Sequence, residues 1–394
     1  MTQGLCILGS TGSIGQNCLR VLDGLPGLMH VVVLSAGKNV ETLAAQVVKY
    51  HPQIVVVGQR EYKDALRTRL KSLGYNRRIK ITCGVEGQVE AATDSRVDFV
   101  VSAAHGITGL VATYEAVRAG KRLGLANKET LVVAGELVMR AAAEQGTEVI
   151  PIDSEHCAVH QCLRAGKPSE VKRLLLTGSG GPFLKTPRKS FDALTPEQAL
   201  NHPVWRMGGR ITIDSSTLMN KGLEIIEARW LFGLAQEQIE VVIHPESIIH
   251  SMIEFNDGSV MAQMSVPDMR LPIQYALTYP DRWAVCADSL GLDLISARRL
   301  SFRRPDTERF PSLGLAREAL RQGGIMPCIL NAADEIAVEA FLNHRLGFSS
   351  IPRLIEKVMR RMSPGRALSS LADVLEGDAE ARRSAAQVMA EISG

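Results

Sequence analysis

The chain has 394 residues, of which 45% are hydrophobic and 22% charged, and its formal net charge is +3. This length is enough for two or three domains, each with its own core, and the composition is that of a globular chain. The slight net charge gives no electrostatic argument for a nucleic-acid partner, and no apolar run reaches the roughly 18 residues that a membrane span needs. We therefore expect a soluble protein without a nucleic-acid or membrane partner.

Seven cysteines are scattered along the chain, and no two of them form a C-x-x-C pair. An odd number of unclustered cysteines predicts reduced thiols and a cytoplasmic location. The first residues, MTQGLCILGS, are typical of a strand and not of a secretory signal, because they lack a basic start and a cleavage region.

A glycine-rich segment follows the first apolar strand, residues 5–8. GSTGSIG occupies residues 9–15, and a helical pattern continues through Val21. The glycines permit a tight turn and a close approach of a phosphate to the free N–H groups of the helix start. This position predicts a dinucleotide-binding loop. The alternative is an ordinary turn between a strand and a helix.

The second predicted strand, residues 31–34, leads into Gly37, Lys38 and Asn39. A site for NAD would place an acidic residue at the end of this strand to bind the ribose 2′-hydroxyl. Here there is no acid, and Lys38 could neutralise a 2′-phosphate. The segment favours NADPH, unless Lys38 is only a solvated surface lysine.

Further apolar strands alternate with helical patterns, which predicts a Rossmann-like, doubly wound parallel sheet; these strands are residues 54–57, 99–102, 122–125 and 149–152. Ligands of such sheets bind beyond the carboxyl ends of the strands. Asn127, Lys128 and Glu129 follow one strand and Asp153 follows the next. We therefore expect them at the same edge as GSTGSIG.

Acidic residues at this edge suggest a metal site. Asp153, Glu155 and the later Glu224 offer hard carboxylate oxygens, which suit Mg²⁺ or Mn²⁺. The alternative is a zinc site, since two histidines are four residues apart on a predicted helix; its ligands would be His156, Cys157, His160 and Cys162. The two cysteines would point away from the histidine face, which favours the carboxylate site.

A second glycine-rich segment, LLTGSGGPF, occupies residues 175–183. Its backbone N–H groups could converge on an anion, with the Ser179 hydroxyl beside them. The alternative is a simple glycine-rich turn.

The segment from residue 201 to residue 209 carries Trp205 and Met207 between His202-Pro203 and two glycines. Apolar side chains on a glycine-flanked loop predict a lid that closes over a ligand and expels water. The alternative is a buried loop whose tryptophan packs in the core.

A polar run follows this loop. Ser215, Asn220 and Lys221 provide a hydroxyl, an amide and an ammonium, a suitable set for a phosphate group. Glu224 lies three residues after Lys221, so the two share a helix face. The alternative for this last pair is a surface ion pair.

From Ser312 onward helical periods dominate, as in AREALRQG and NAADEIAVEAFL, which predicts a C-terminal helical domain. Residues 286–311 have little periodicity and are interpreted as a connector.

With these residues the chain resembles the 1-deoxy-D-xylulose 5-phosphate reductoisomerase family nearly end to end. The resemblance rests on ten motifs in order, GSTGSIG, GKN, ANKE, DSEH, TGSGGPF, HPVWRMG, IDSSTLMNKGLE, HPESIIHSM, VPDMR and NAADEIAVEAFL. It implies a homodimer that rearranges and reduces 1-deoxy-D-xylulose 5-phosphate to 2-C-methyl-D-erythritol 4-phosphate in the non-mevalonate isoprenoid pathway, using NADPH and Mg²⁺ or Mn²⁺, with Co²⁺ as a further candidate. It also implies an NADPH-binding domain over residues 1–150, an α+β catalytic domain over 151–285, the connector, and a helical domain over 312–394.

The resemblance further implies a role for individual residues. The contacts to NADPH would be Thr11, Gly12, Ser13, Ile14, Gly37, Lys38, Asn39, Asn127, Glu129 and Gly208. The metal ligands would be Asp153, Glu155 and Glu224. The contacts to the phosphosugar would be Lys128, Ser154, Glu155, Ser179, His202, Ser215, Asn220, Lys221 and Glu224. The catalytic residues would be Lys128, Glu155, His202 and Trp205, with His250 as support.

Three positions depart from the family pattern: Val204, His160 and the pair Met264-Ser265. The sequence leaves open whether the carbon skeleton rearranges by retro-aldol cleavage and re-addition or by direct migration. Two other functions are alternatives. One is an NADP-dependent dehydrogenase that acts on a phosphorylated metabolite without rearrangement, and the other is a non-catalytic regulator that binds NADPH.

Overall fold

The structure, a computed structural model, describes residues 2–104, 106–205, 208–362 and 368–393. Two compact units make up the chain. The first comprises Met1–Thr130, Val138–Cys157 and Asp268–Gly291, and the second comprises Leu131–Leu137, Ala158–Pro267 and Leu292–Gly394. Among the described helices, none combines the length and the apolar character that crossing a bilayer requires.

The first unit is built on a seven-stranded parallel sheet. Its strands are β1 (Gln3–Leu8), β2 (Met29–Ser35), β3 (Ile54–Val57), β4 (Lys80–Cys83), β5 (Phe99–Ser102), β6 (Arg122–Leu125) and β7 (Val149–Pro151). The strand order is β4-β3-β2-β1-β5-β6-β7, with every neighbouring pair parallel. This confirms the predicted doubly wound sheet, and β3, β5 and β6 have the predicted bounds.

The inner strands are mostly apolar and buried because helices cover both faces of such a sheet. All four residues of β3 and all four of β5 are buried. The edge strand β4 was not predicted. Its sequence, KITC, mixes polar and apolar residues, and none of the four is buried.

The helices up to residue 162 are α1 (Ser13–Gly24), α2 (Val40–Tyr50), α3 (Arg60–Ser72), α4 (Gly84–Ala92), α5 (Leu110–Arg118), α6 (Glu129–Gln145) and α7 (Ser154–Cys162). Helices α1 and α7 begin where the glycine-rich loop and Asp153 predicted a helix start. The next helices are α8 (Pro196–Ala199), α9 (Gly209–Thr217), α10 (Met219–Phe232), α11 (Arg270–Thr278) and α12 (Leu294–Ala297).

The second unit contains a four-stranded mixed sheet. Its strands are β8 (Val171–Gly178), β9 (Ile239–Ile243), β10 (Ile249–Phe255) and β11 (Val260–Met264), in the order β11-β10-β8-β9. Strand β8 is parallel to β9 and antiparallel to β10, which is antiparallel to β11. This mixed sheet confirms the α+β character that was predicted for the middle of the chain.

The end of the chain is helical, as predicted. The helices are α13 (Ser312–Gln322), α14 (Met326–Leu342), α15 (Ser350–Arg361) and α16 (Leu371–Ser393). Helix α13 begins at the residue where the periodicity begins. Helix α15 buries Ile351, Leu354, Ile355 and Val358, whose spacing of three and four residues places them on one apolar face.

Candidate active site

The segment GSTGSIG connects β1 to α1 at the switch point of the first sheet, where β1 lies between β2 and β5. Ligands of doubly wound sheets bind at this point. Gly9 has a φ of +89°, and a Cβ at Gly15 would lie 2.4 Å from the Gly9 carbonyl oxygen. No side chain caps the N-terminus of α1, which begins after Gly12. The glycines therefore form the tight turn that the sequence predicted, and the interpretation as a dinucleotide-binding loop stays a prediction.

A buried polar contact fixes this loop to α2. The Ser10 hydroxyl donates a hydrogen bond to Gln46 Oε1 at 2.8 Å, and Gln46 Nε2 donates to the Ser10 carbonyl at 2.8 Å. Sequence reasoning did not find this contact, since the two residues are 36 positions apart and nothing local marks Gln46 as a partner of the loop.

The residues directly after β2 include a lysine and no acid, as predicted for an NADPH site. Gly37, Lys38 and Asn39 are exposed directly after the strand. The Asn39 side chain also caps α2, because its Oδ1 accepts a hydrogen bond from the Thr42 backbone N–H at 3.1 Å. Lys38 is therefore an exposed cation beside a strand end that a helix cap holds in place, and its contact with NADPH stays a prediction.

Asn127 lies buried beyond the end of β6. Its Nδ2 donates to the Gly106 carbonyl at 2.8 Å, while its Oδ1 is buried and accepts no hydrogen bond. A buried acceptor without a donor is unfavourable by about 1–3 kcal/mol. A ligand N–H group would relieve this cost. Glu129, two residues on, lies half-buried in the first turn of α6.

Lys128 and Asp153 meet at the edge where the sequence predicted both. Lys128 Nζ lies 2.6 Å from Asp153 Oδ2, and the two side chains are 6% and 10% exposed. The other Asp153 oxygen accepts from the Glu155 backbone N–H at 3.1 Å and lies 3.2 Å from His156 Nδ1. The Ser154 hydroxyl donates to Glu155 Oε2 at 2.5 Å. These contacts orient a carboxylate pair at the start of α7.

The zinc interpretation is not supported. Cys157 packs in the hydrophobic core of the first unit, and Cys162 packs in that of the second. Burial also raises the pKa of the Cys162 thiol to about 11. His156 contacts Asp153, which gives it a role beside the carboxylates.

In the second unit Lys221 and Glu224 form a buried pair on α10. Lys221 Nζ lies 2.5 Å from Glu224 Oε2, and the side chains are 7% and 1% exposed. Asn220 Nδ2 donates to Glu224 Oε1, also at 2.5 Å. The interpretation as a surface ion pair is therefore wrong. The two buried, oppositely charged side chains and the Asn220 amide form a polar cluster inside this unit.

The second glycine-rich segment packs against the same part of the second unit. A Cβ at Gly178 would lie 2.8 Å from Lys221 Cε, and one at Gly181 would lie 2.6 Å from the Ser215 carbonyl oxygen. Gly181 also has a φ of +71°. Gly181 requires glycine, because its φ is positive and a Cβ would overlap a backbone oxygen, whereas at Gly178 the Lys221 side chain would have to shift. The interpretation as an anion-binding segment stays a prediction. The segment brings Ser179 into the neighbourhood of the residues predicted to bind phosphate.

His202 connects that segment to the predicted lid. Its Nδ1 accepts hydrogen bonds from the backbone N–H groups of Trp205, at 2.9 Å, and Val204, at 3.2 Å. Because Nδ1 is an acceptor, Nε2 carries the proton of the ring, and it lies 3.1 Å from the Ser179 hydroxyl. The backbone thus selects the tautomer that donates toward Ser179.

Trp205 is half-buried, and its ring meets that of the buried His250 edge-on at a centroid distance of 6.1 Å. Half-burial fits both interpretations, so the lid stays a prediction. The two following residues, Arg206 and Met207, lie outside the described residues, and the prediction for Met207 lies there with them. Gly208, exposed, is the N-cap of α9.

A charged network holds α9, which carries Ser215, against α14. Arg210 Nη1 lies 2.5 Å from Glu335 Oε1, and Arg210 Nη2 lies 3.6 Å from Asp334 Oδ2. Asp334 is fully buried, and burial raises its pKa to about 6. Arg210, Asp334 and Glu335 are functional candidates that no local motif marks, because their pairing depends on the packing of α9 against α14.

Comparison with known protein families gives matches along most of the chain. A family described as 1-deoxy-D-xylulose 5-phosphate reductoisomerase matches residues 5–135. The C-terminal domain of that enzyme matches residues 149–232, and a further family, described as the DXP reductoisomerase C-terminal domain, matches residues 264–384.

Individual relatives match over nearly the full length. The 1-deoxy-D-xylulose 5-phosphate reductoisomerase of Solibacter usitatus is 51% identical over 96% of this chain and 95% of its own. That of Heliobacterium modesticaldum is 49% identical over 99% of this chain and 98% of its own. The solved Zymomonas mobilis enzyme in complex with NADPH is 40% identical with a TM-score of 0.91 and covers 99% of both chains. A DOX-P reductoisomerase in complex with NADPH, fosmidomycin and magnesium is 39% identical with a TM-score of 0.92 over 99% of both chains.

Proposed function

We infer the function from one premise: the chain belongs to the 1-deoxy-D-xylulose 5-phosphate reductoisomerase family. It is an NADP-dependent oxidoreductase that uses NADPH and a divalent metal to convert 1-deoxy-D-xylulose 5-phosphate to 2-C-methyl-D-erythritol 4-phosphate. The observation that carries this conclusion is the match of about half of all positions over nearly the whole chain. The roles of the individual residues are our proposal.

We assign NADPH to the edge of the first sheet and to the start of α9. The uncapped N-terminus of α1 offers N–H groups to the pyrophosphate, and Lys38 offers a cation to the 2′-phosphate. The buried, unpaired Asn127 Oδ1 fits a ligand amide. The proposed contacts are Thr11, Gly12, Ser13, Ile14, Gly37, Lys38, Asn39, Asn127, Glu129 and Gly208.

We assign the metal to the carboxylates of Asp153, Glu155 and Glu224. Three carboxylates are a donor set that fits Mg²⁺, Mn²⁺ or Co²⁺. Asp153 lies 2.6 Å from Lys128 Nζ and Glu224 lies 2.5 Å from Lys221 Nζ, so a bound cation would share each carboxylate with a lysine. When bound, such a cation polarises the carbonyl and hydroxyl oxygens of the substrate.

We propose that polar groups of the second unit bind the phosphate of the phosphosugar. Ser215, Asn220 and Lys221 supply a hydroxyl, an amide and an ammonium to the phosphate, with Ser179 beside them. The His202 tautomer places an N–H on the side of Ser179, where it can donate to the same ligand.

The catalytic residues in this assignment are Lys128, Glu155, His202 and Trp205. Lys128 and Glu155 lie beside Asp153 and would position the reacting oxygens, with Ser154 as a further contact. Trp205 would close over the substrate and exclude water, supported by the ring of His250.

The assignment is tested by NADPH oxidation with 1-deoxy-D-xylulose 5-phosphate, in the presence of Mg²⁺ or Mn²⁺ and after chelation. We expect oxidation only with metal, and a branched product by NMR. Oxidation that survives chelation and yields an unbranched alcohol would favour a plain dehydrogenase. NADPH binding without turnover under every condition would favour a regulator.

We further propose a cytoplasmic homodimer with an NADPH-binding part over residues 1–150, a catalytic part over 151–285, a connector over 286–311 and a helical part over 312–394. All seven cysteines are free thiols, which supports a reducing compartment. Sedimentation equilibrium of the full chain tests whether it is a dimer. A monomeric mass at micromolar concentration would contradict the proposal.

A further inference from the structure

A cavity of about 360 Å³ lies within the second unit. It is formed by the helical turn Arg188–Ala193 and by the residues around the starts of α13 and α15. Among the residues that the structure describes around it, none belongs to the proposed NADPH, metal or phosphosugar sites. Its volume is within the range of small-molecule sites, about 300–1,000 Å³.

Three arginines line the cavity. Arg188 and Arg353 are exposed, and within the described ranges neither has an ion-pair partner. Arg309 lies 3.2 Å from Asp306 and donates to the Leu184 carbonyl at 2.8 Å. Two of the three guanidinium groups are thus available to an anion, and Arg309 is held in place by the protein.

The two acidic residues of the lining already have partners. Asp192 accepts a hydrogen bond from the Ser349 hydroxyl. Glu356 lies 2.5 Å from Arg360, one turn along α15. Arg360 neutralises Glu356, whereas Asp192 keeps its charge. With Arg309 paired to Asp306, the charges of Arg188 and Arg353 exceed that of Asp192, and the net positive lining favours an anionic ligand.

A buried hydroxyl in the lining lacks a partner. Ser312 is 1% exposed, and its Oγ makes no hydrogen bond. It is the first residue of α13, which has neither a side-chain cap nor an acid in its first turn. The positive end of this helix and the unsatisfied hydroxyl both favour an oxygen-bearing anion at this place.

The remaining wall is aromatic. Phe191, Phe310 and Phe348 are buried, and the Phe191 ring lies 5.5 Å from that of Phe310 and 5.4 Å from that of Phe348, centroid to centroid. An inorganic ion would leave this apolar surface unused. We propose that the cavity binds an organic phosphate monoester, with its phosphoryl group at Arg188, Arg353 and Ser312 and its organic part on the phenylalanines.

The test uses phenyl phosphate as the probe, titrated calorimetrically into the full chain. We expect the double variant Arg188→Gln/Arg353→Gln to weaken binding at least tenfold and Ser312→Ala to weaken it less. Arg383→Gln is the matched control, because this exposed arginine of α16 lies outside the cavity; it should bind as the unmodified protein does. Inorganic phosphate should bind more weakly than phenyl phosphate, since it does not contact the aromatic wall.

A second variant separates this cavity from the phosphosugar site. Lys221→Gln should still bind phenyl phosphate through Arg188 and Arg353, even if its turnover changes. The proposal is overturned if the double variant binds like the control, if Lys221→Gln alone abolishes binding, or if the unmodified protein does not bind phenyl phosphate. These experiments measure binding and not turnover. Their outcome therefore does not test the proposed reaction, which the NADPH oxidation assay tests separately.

Discussion

Replacing Glu224 by glutamine tests both the metal assignment and the buried pair that the structure places on α10. The carboxylate is 1% exposed and lies 2.5 Å from Lys221 Nζ and 2.5 Å from Asn220 Nδ2. Glutamine keeps the size of the side chain and one acceptor oxygen but removes the charge. Lys221, itself 7% exposed, would then keep a buried ammonium without its carboxylate.

The expected loss in the free energy of unfolding follows from these contacts. Breaking a buried ion pair on one side costs about 3–5 kcal/mol. Because the amide oxygen can still accept from Lys221, we expect a smaller loss of about 2–3 kcal/mol in the free energy of unfolding, in the range of one hydrogen bond to a charged group. For a unit of this size that loss lowers the melting temperature by about 4–12 °C.

The effect on catalysis should be larger. Even the partners of metal ligands change metal affinity or activity by about 10- to 100-fold when they are mutated. Loss of an anionic ligand should therefore lower metal-dependent turnover by at least about 100-fold. NADPH binding should persist, because we assign the cofactor to other residues.

The assay pairs thermal unfolding with NADPH oxidation over a series of Mg²⁺ concentrations and with an NADPH fluorescence titration. Glu339→Gln is the control, since this glutamate is 67% exposed and lies 3.8 Å from Arg345. An exposed pair contributes at most about 1 kcal/mol. Full turnover of Glu224→Gln would refute the metal assignment, and an unchanged melting temperature would refute the reasoning from the buried pair.

Three further changes test separate parts of the structure. Lys38→Ala should weaken NADPH at least tenfold more than NADH in a fluorescence titration, because only NADPH carries the 2′-phosphate; equal losses would show a plain surface lysine. Trp205→Ala should reduce turnover and substrate affinity but leave the melting temperature nearly unchanged, since the side chain is half-buried; a fall of many degrees would place it in the core. Burial raises the pKa of Asp334 from 3.8 to about 6. The native state therefore retains a proton that the unfolded state releases, and stability from this group falls as the pH rises from about 4 to 6. In Asp334→Asn the free energy of unfolding, measured by urea unfolding at a series of pH values, should fall less over this pH range. An unchanged dependence on pH would contradict the raised pKa.

Local patterns were sufficient for the elements that position the site. The strands at residues 54–57, 99–102 and 122–125 have the predicted bounds, because a parallel strand covered on both faces is mostly apolar. The glycine spacing of residues 9–15 predicted the loop at the switch point, since steric demands of the backbone appear in the sequence itself. The edge strand β4 was missed because a strand with one open side carries a weaker apolar signal.

The contacts that complete the site depended on tertiary structure. The sequence placed Lys128 and Asp153 at one edge, but their 2.6 Å contact and their burial depend on how neighbouring strands pack. The pairing of Ser10 with Gln46 and the burial of Lys221 with Glu224 were not visible in the sequence. Periodicity indicates which side of its own element a residue occupies. Gln46 comes to Ser10 from another element, and Lys221 and Glu224, which share a helix face, are buried only because other parts of the unit cover that face. The sequence by itself therefore determined the sheet, the loop and the chemical types of the site residues, and packing alone decided which charges are buried together.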